Sequence, residues 1–167
     1  MRSGPDLPEL RLLGGWPDSE TGLTRYEPGG TLPGLVRLDS LRTIRLRGIY
    51  VVARWRASCH GTIDVGAGRE LCLRRGDMPP GPAVELPFEY PLPGEPWSYG
   101  GRLVTIEWEL EARFDVPMGA DQRSTAAFIL APARPDEAGS SYPGPATVKR
   151  EGPAAASRPR PDRRRRS

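Results

Sequence analysis

Cys59, His60 and Cys72 are the residues of this 167-residue sequence best suited to metal or nucleophilic chemistry. A structural zinc site normally needs four ligands and typically includes a closely spaced cysteine pair. Asp64 or Glu70 would have to complete the set, and the spacing of these residues is not typical of a zinc site. We therefore expect no metal site, no cofactor and two free thiols.

Two further patterns are candidates for catalysis. Neighbouring residues on a strand point to opposite faces, so Cys59 and His60 are badly placed to share a proton. Glu107, Glu109 and Glu111 are carboxylates at i, i+2 spacing, which predicts one solvated row balanced by arginine. Such a row lacks the pocket that a catalytic carboxylate pair needs. We expect no catalytic residues, and hence no enzyme.

The charge of the chain is concentrated in residues 133–167, which carry a net charge of +5 against −2 for residues 1–132. This segment has almost no large apolar side chains, so we expect a disordered Pro/Ala/Arg-rich tail. Its arginine run would attract a polyanion such as nucleic acid or an acidic surface. The alternative is a solubilising tail whose arginines reflect a GC-rich genome. The candidate polyanion-binding residues are Arg158, Arg160, Arg163, Arg164, Arg165 and Arg166.

The clearest structural pattern is an alternation of apolar and polar residues over 103–115. A period of two predicts a β-strand with one face on the core and the other in water. The predicted inner face consists of Val104, Ile106, Trp108, Leu110, Ala112 and Phe114, and the outer face of Thr105, Glu107, Glu109, Glu111, Arg113 and Asp115.

A second long strand is predicted over about 43–57. Its apolar positions change from even to odd numbers around Gly48, where a β-bulge would restore the inward direction. If this strand lies beside the first, Arg54 and Arg56 face the glutamate row and form favourable cross-strand pairs.

Short strands and turns account for the rest of residues 1–132, because the 20 glycines and 20 prolines of the chain break helices. Pro87 has no N–H to donate to a ladder, which places its strand at a sheet edge. Seven strands separated by turns predict an all-β, two-sheet β-sandwich. The five weaker strands are predicted at residues 9–13, 34–38, 69–73, 84–90 and 124–131.

The aromatic residues divide into a predicted core and a turn. We expect Trp55, Trp108, Phe88 and Phe114 to lie in the core. Trp97 and Tyr99 belong to the turn-rich segment 91–101, and we expect them to pack against the sandwich as well.

The N-terminal residues lack the apolar segment of a signal peptide, and the sequence contains no apolar run of 18 residues. We therefore expect a cytoplasmic protein without a membrane span, in which both cysteines stay reduced.

Three segments together resemble a known family. The opening of an arrestin-type N-terminal domain is similar to YEPGGTLPGLVRL at 26–38, where a Tyr-x-Pro-Gly turn leads into a strand. The long strand that follows is similar to RLRGIYVVARWRA at 45–57. The arrestin-domain order of a Pro-Phe-x-Phe-x-Leu-Pro motif, a Ser-aromatic-x-Gly turn, a strand ending in Ala-x-x-Asp-x-Pro and a final strand resembles PFEYPLPGEPWSYGGRLVTIEWELEARFDVPMGADQRSTAAFIL at 87–130.

This resemblance covers roughly residues 8–132 and implies an immunoglobulin-like, arrestin-type sandwich used for protein contacts. The family comprises arrestins, arrestin-domain trafficking adaptors, a retromer subunit and bacterial sporulation-control relatives. The chain departs from it, since residues 133–167 stand where a second arrestin domain is usual. The phosphate-sensing basic pair and polar core of receptor-binding members, and the Pro-Pro-x-Tyr motif of ligase adaptors, have no counterpart. Receptor binding, phosphate sensing and ligase recruitment are therefore not expected.

The function expected from these observations is that of a non-catalytic protein-binding scaffold or adaptor with one arrestin-like domain. The alternative is a polyanion-binding protein that acts through its arginine-rich tail. We also expect a homodimer, or docking on a larger assembly, through a sheet edge, because segments 9–13 and 34–38 carry no guard comparable to Pro87.

Overall fold

The structure is a computed structural model that describes residues 8–40 and 42–133. These residues form eleven β-strands and no helix. The strands are β1 (Glu9–Leu12), β2 (Trp16–Pro17), β3 (Thr24–Tyr26), β4 (Thr31–Ser40), β5 (Gly48–Cys59), β6 (Thr62–Ala67), β7 (Leu71–Arg75), β8 (Gly81–Pro91), β9 (Tyr99–Gly100), β10 (Val104–Asp115) and β11 (Gln122–Leu130). The predicted all-β class is confirmed. The predicted tail and its arginines lie outside the described residues, apart from Ala133.

The smaller sheet has three antiparallel strands in the order β1-β4-β8. The strand β8 is an edge, as Pro87 predicts, and Pro87 is exposed while Phe88 and Tyr90 on the other face are buried. The strand β4 pairs on both sides, so the prediction of an open edge at 34–38 is wrong. The physical reason is that β1 covers one side of β4 and β8 the other.

The larger sheet has eight strands, and its main path runs β2-β3-β11-β10-β5-β6. Its centre is the antiparallel pair of β5 and β10, which stays in register from Val104 opposite Cys59 to Asp115 opposite Gly48. The strand β7 pairs with the first half of β5, and β6 with the second half. The strand β9 pairs with the start of β10. The predicted neighbourhood of the two long strands is confirmed.

The core lies between the two sheets, and β10 supplies its centre. Trp108, Leu110, Ala112 and Phe114 are buried, which confirms the predicted inner face over this part of the strand. Trp108 also donates its indole N–H to the carbonyl oxygen of Pro96 at 2.8 Å. Because the polar end of the ring is satisfied, its apolar body can be buried without an orphaned donor.

Two glycines of the sheets give space to aromatic rings on the neighbouring strand. Gly34 lies opposite Phe88, and Gly66 lies opposite Trp55. A Cβ atom at either glycine would overlap the facing ring. The rings therefore lie against the backbone of the glycine, a cross-strand arrangement that also shields the main chain. Phe88 is buried, and Trp55 packs at the margin of the core.

The predicted strand over 43–57 begins later than expected, at Gly48. Ile44 forms an isolated bridge with Met78, and the N–H of Leu46 donates to Asp77 Oδ1 at 3.1 Å. The change from even to odd apolar positions thus arises because the chain changes partners before Gly48, and no bulge interrupts its ladder with β10. The one register shift of β5 lies on the β7 side, between Ile49 and Tyr50.

Candidate binding surface on the outer face of the large sheet

The outer face of the large sheet carries a groove of about 1110 Å³. Successive residues of a strand point to opposite faces, so the burial of Trp108 on the inner side places Glu107 and Glu109 on the outer side. Residues that lie opposite each other on paired strands share a face, so Arg56 and Arg54 lie on the outer side as well. Both glutamates line the groove, together with Arg54 and Arg56 of β5. The predicted apposition of arginines and glutamates is confirmed, because Glu107 lies opposite Arg56 and Glu109 opposite Arg54.

The charged strip in the floor of the groove lies between two apolar margins. On the β6 side, Val65 lies opposite Arg56 and Ala67 opposite Arg54. On the β11 side, Ala127 lies opposite Glu109. Ile129 of β11 also lines the groove. The groove therefore offers charged groups at its centre for pairing and apolar side chains at both margins for dispersion contacts.

One wall of the groove is the 18–23 loop between β2 and β3, which is held by Asp18. Its carboxylate accepts hydrogen bonds from the N–H of Thr21 at 3.0 Å and from the Thr21 hydroxyl at 2.7 Å. It also forms an ion pair of 2.7 Å with Arg25, and both side chains are almost fully buried. Burial raises the pKa of Asp18, but the hydrogen bonds from Thr21 and Arg25 outweigh it and hold the pKa below its ordinary value.

Glu111 departs from the predicted solvated row. It is only 5% exposed, and its two carboxylate oxygens accept hydrogen bonds from Arg54 at 3.2 Å and from Arg123 at 3.3 Å. The two arginine side chains lie over it from the flanking strands, which is why it is buried on an otherwise exposed face. Glu107 and Glu109 are exposed, as predicted.

Ion pairing differs along the outer face. Arg113 donates to Glu70 at 2.9 Å and to Asp121 at 3.4 Å, and its guanidinium lies over the ring of Tyr50. The hydrogen bond to Glu70 raises the pKa of Arg113. Within residues 8–40 and 42–133, no ion pair involves Glu107, Glu109 or Arg56. Glu107, Glu109 and Arg56 are therefore available to a partner, whereas the charges near Arg113 are bound internally.

The structure does not bring together the residues considered for metal or thiol chemistry. Cys59 ends β5, whereas Cys72 lies opposite Tyr50 at the other end of that strand. Nine residues of extended chain separate these points by roughly 30 Å, too far for a disulfide or shared ligation. His60 and Gly61 form the two-residue turn after β5, and His60 has a φ of 46°. In the part of the chain that the structure describes, no three His, Cys, Asp or Glu residues form a potential metal site.

Trp97 and Tyr99 do not pack as predicted, since they are 52% and 58% exposed. The turn is instead anchored by Ser98 and Pro96. The N–H of Ser98 donates to the carbonyl oxygen of Leu130 at 2.7 Å, and its hydroxyl accepts from the N–H of Leu130 at 2.9 Å. Within the turn, Trp97 donates its indole N–H to the carbonyl oxygen of Gly94 at 2.8 Å, and Tyr99 lines the groove.

Helices that are long and apolar enough to cross a membrane do not occur among residues 8–40 and 42–133.

The two-sheet architecture defines an arrestin-like fold, which confirms the resemblance found in the sequence. A similar solved structure is the crystal structure of Spo0M, a sporulation control protein from Bacillus subtilis, with a TM-score of 0.58 and 16% sequence identity. The match covers 78% of this chain and 51% of the Spo0M chain, so this chain spans about half the length of that protein. At this identity the likeness concerns the fold alone. No protein-family model and no curated protein matches the sequence.

Proposed function

We propose that this protein is a non-catalytic scaffold or adaptor that binds another protein on the outer face of its large sheet. The observation that carries the proposal is the groove, in which Glu107, Glu109 and Arg56 lie exposed between two apolar margins and form no ion pair with any other residue that the structure describes. Elsewhere on this face the arginines and acidic residues are bound to each other.

The proposed partner segment is extended and carries charges of both signs. Basic side chains of the partner would pair with Glu107 and Glu109, and an acidic one with Arg56, because complementary charges fix the register of a complex. Small apolar side chains would contact Val65 on one margin and Ile129 on the other. The 18–23 loop limits how far the segment extends on the β3 side, since its ion pair holds the wall in place.

The proposal includes a reducing compartment such as the cytoplasm. Cys59 and Cys72 are both free and exposed. Exposed thiols of this kind persist where glutathione and thioredoxin keep cysteines reduced.

The proposal can be tested by photo-cross-linking in cells that naturally produce the protein. A benzoylphenylalanine residue at Ala127 would lie in the groove, and one at Glu85 would lie on the exposed face of the small sheet. We expect a discrete protein adduct from Ala127 and none from Glu85. Equal adduct yields from the two positions would contradict a binding site in the groove.

The same experiment separates this proposal from polyanion binding by the tail. In a full-length variant, the six arginines of the C-terminal run are replaced by glutamine, which removes their attraction for polyanions. We expect the protein adduct at Ala127 to persist in that variant. Loss of the adduct, or its replacement by nucleic acid in the unaltered protein, would favour the tail as the binding element.

A further inference from the structure

The sheet edges of this sandwich differ in how well they are protected against pairing with another chain. The edge strand β8 contains Pro82, Pro87 and Pro91, which cannot donate hydrogen bonds to a neighbour. The opposite edge, β1, has only four residues and exposes Glu9 and Arg11. Charges and prolines of this kind are the usual protection of an edge strand.

Two edges of the large sheet are protected in the same way. The strand β2 consists of two residues and ends in Pro17. The strand β7 ends in two charged residues, Arg74 and Arg75. Each of these strands therefore has a feature that opposes pairing.

The strand β6 has the least protection of this kind. It has six residues and pairs only with β5 among the strands that the structure describes. It contains no proline, lysine or arginine, and its only charged residue is Asp64. Ile63 is 54% exposed and Val65 is 68% exposed, so this weakly protected edge is also apolar.

The backbone groups of β6 that face the open edge follow from the hairpin that joins it to β5. Cys59 lies opposite Thr62 across a two-residue turn, and residues that flank such a turn exchange hydrogen bonds. The N–H and C=O groups of Ile63, Val65 and Ala67 consequently point away from β5. The N–H of Val65 donates to the side chain of Asp64, its own neighbour, at 2.9 Å.

We propose that β6 pairs in an antiparallel manner with β6 of a second copy of this chain, with Val65 on the two-fold axis. In this register Val65 lies opposite Val65 of the second copy, and Ile63 lies opposite Ala67. Apolar residues thus face each other in each pair on the outer face. Asp64 lies opposite Gly66, which leaves room for its side chain.

The sequence of β6 favours this register and a self-complementary partner. If the axis passed through Asp64 instead, the two carboxylates would face each other in a pair whose Cα atoms are about 4.5 Å apart, and like charges directly opposite are destabilising. With Val65 on the axis, three residue pairs exchange backbone hydrogen bonds through the groups that face the open edge, and the N–H of Val65 exchanges its local bond to Asp64 for one to the second copy.

The proposed dimer has two structural consequences. A two-fold axis perpendicular to the sheet keeps both outer faces on the same side, so the two grooves lie next to each other. A ladder of five residues per copy, 63–67, should bury less surface than the about 800 Å² per partner that stable complexes bury, so the dimer should be reversible. The inference rests on the edge of β6 and stands whether or not the groove binds a protein.

Sedimentation velocity of the full-length protein from about 5 to about 300 µM, a range suited to weak dimers, tests the proposal. We expect a concentration-dependent shift from monomer to dimer. Val65→Lys should weaken the dimer at least about tenfold, because it places two ammonium groups opposite each other. Leu103→Lys is the matched control, since Leu103 is 65% exposed but lies outside β6. It should leave the dimer unchanged.

A disulfide experiment tests the register independently of the lysine variants. In a full-length Cys59→Ser, Cys72→Ser background, Val65→Cys should form a cross-linked dimer when oxidised glutathione is added. Ile63→Cys should not, because the two copies of residue 63 are about four residues apart along the ladder, roughly 13 Å. Preferential cross-linking of Asp64→Cys would contradict the proposed axis. Circular dichroism confirms that each variant remains folded.

Hydrogen exchange identifies any other occupant of the edge. We expect the amides of Ile63, Val65 and Ala67 to become protected as the protein concentration rises. Protection that is already complete at low concentration would mean that residues of the same chain cover β6, and it would overturn the proposal. A wild-type protein that remains monomeric up to about 300 µM, or equal effects of the two lysine variants, would also overturn it.

Discussion

The two faces of β10 are built from the same twelve residues but have different physical roles. On the inner face, Trp108, Leu110 and Phe114 are buried in the core cluster, which includes residues of both sheets. On the outer face, Glu107 and Glu109 lie in an open groove with no internal ion pair among the described residues. The comparison indicates that stability resides mainly in the inner face, so the outer face can change its charges with little effect on folding.

The outer face itself has a gradient of burial and pairing. Glu111 is enclosed by Arg54 and Arg123, and the wall of the groove contains the buried pair of Asp18 and Arg25. Glu111 and Asp18 therefore stabilise the fold, although both belong to the outer face. Substitutions should therefore fall into a graded series, from the inner face through the enclosed charges to the exposed ones.

The largest effect is expected from Trp108→Ala. The substitution leaves a cavity in the core and an unpaired carbonyl oxygen at Pro96, and it should lower the free energy of unfolding by about 3–5 kcal/mol. Glu109→Ala, one residue away on the outer face, should change that free energy by no more than about 0.5 kcal/mol. Urea denaturation measures both. Equal losses at the two positions would mean that the faces of β10 are assigned incorrectly.

Asp18→Asn should have the next largest effect, about 1.5–3 kcal/mol, because a hydrogen-bonded ion pair with Arg25 loses one of its charges inside the loop. The pKa of Asp18 in the folded protein lies below its ordinary value of 3.8. The carboxylate therefore contributes its full stability above about pH 4, and this contribution is lost as the pH falls through the folded-state pKa.

The pH dependence of the unfolding free energy shows whether the charge of Asp18, and not only its hydrogen-bonding shape, stabilises the fold. Below about pH 4 the wild-type protein should lose stability faster than Asp18→Asn, and the difference between them should shrink. Thermal unfolding at a series of pH values measures this. A difference that is constant down to the acid limit would show that the ionised state of Asp18 does not matter.

Glu111→Gln should cost less, about 1 kcal/mol. Its carboxylate is enclosed, but the side chains of Arg54 and Arg123 are 42% and 53% exposed, so water replaces part of what is lost. The effect should also decrease as salt is added, because the ion pairs reach the surface. A loss of unfolding free energy as large as that of Trp108→Ala would mean that Glu111 stabilises the fold as strongly as a core residue.

The smallest effect is expected from Cys59→Ser combined with Cys72→Ser. Both cysteines are exposed and unpaired, so the double variant should keep the unfolding free energy within about 0.5 kcal/mol under reducing conditions. Denaturant titration with and without a reductant measures this. A folding defect of the variant would reveal a structural role that neither position indicates.

The sequence predicted the elements in which a long alternating pattern coincides with burial. The faces of β10 and the edge position of β8 followed from such patterns, because a period of two and a proline have direct backbone consequences. The strands β2, β3 and β9 are too short to carry a pattern. The strand β6 was missed because its apolar residues are exposed and no inner face accompanies them.

The outer surface was harder to predict because it depends on contacts between distant strands. The pairing of Arg54 with the glutamate row follows from alternation, but the burial of Glu111 also requires Arg123 from β11. Trp97 lies exposed in a turn that is held by hydrogen bonds from Leu130 to Ser98 and from Trp108 to Pro96. No local sequence pattern predicts these contacts.

The central claim, that the exposed charges of the groove bind a partner without stabilising the fold, is tested most directly by exchanging one cross-strand pair. In the variant Arg56→Glu with Glu107→Arg, the opposite charges still face each other within the protein, but a partner meets them reversed. We expect the unfolding free energy to stay within about 0.5 kcal/mol of wild type while the adduct from benzoylphenylalanine at Ala127 is lost. An undiminished adduct in this stable variant would contradict the account.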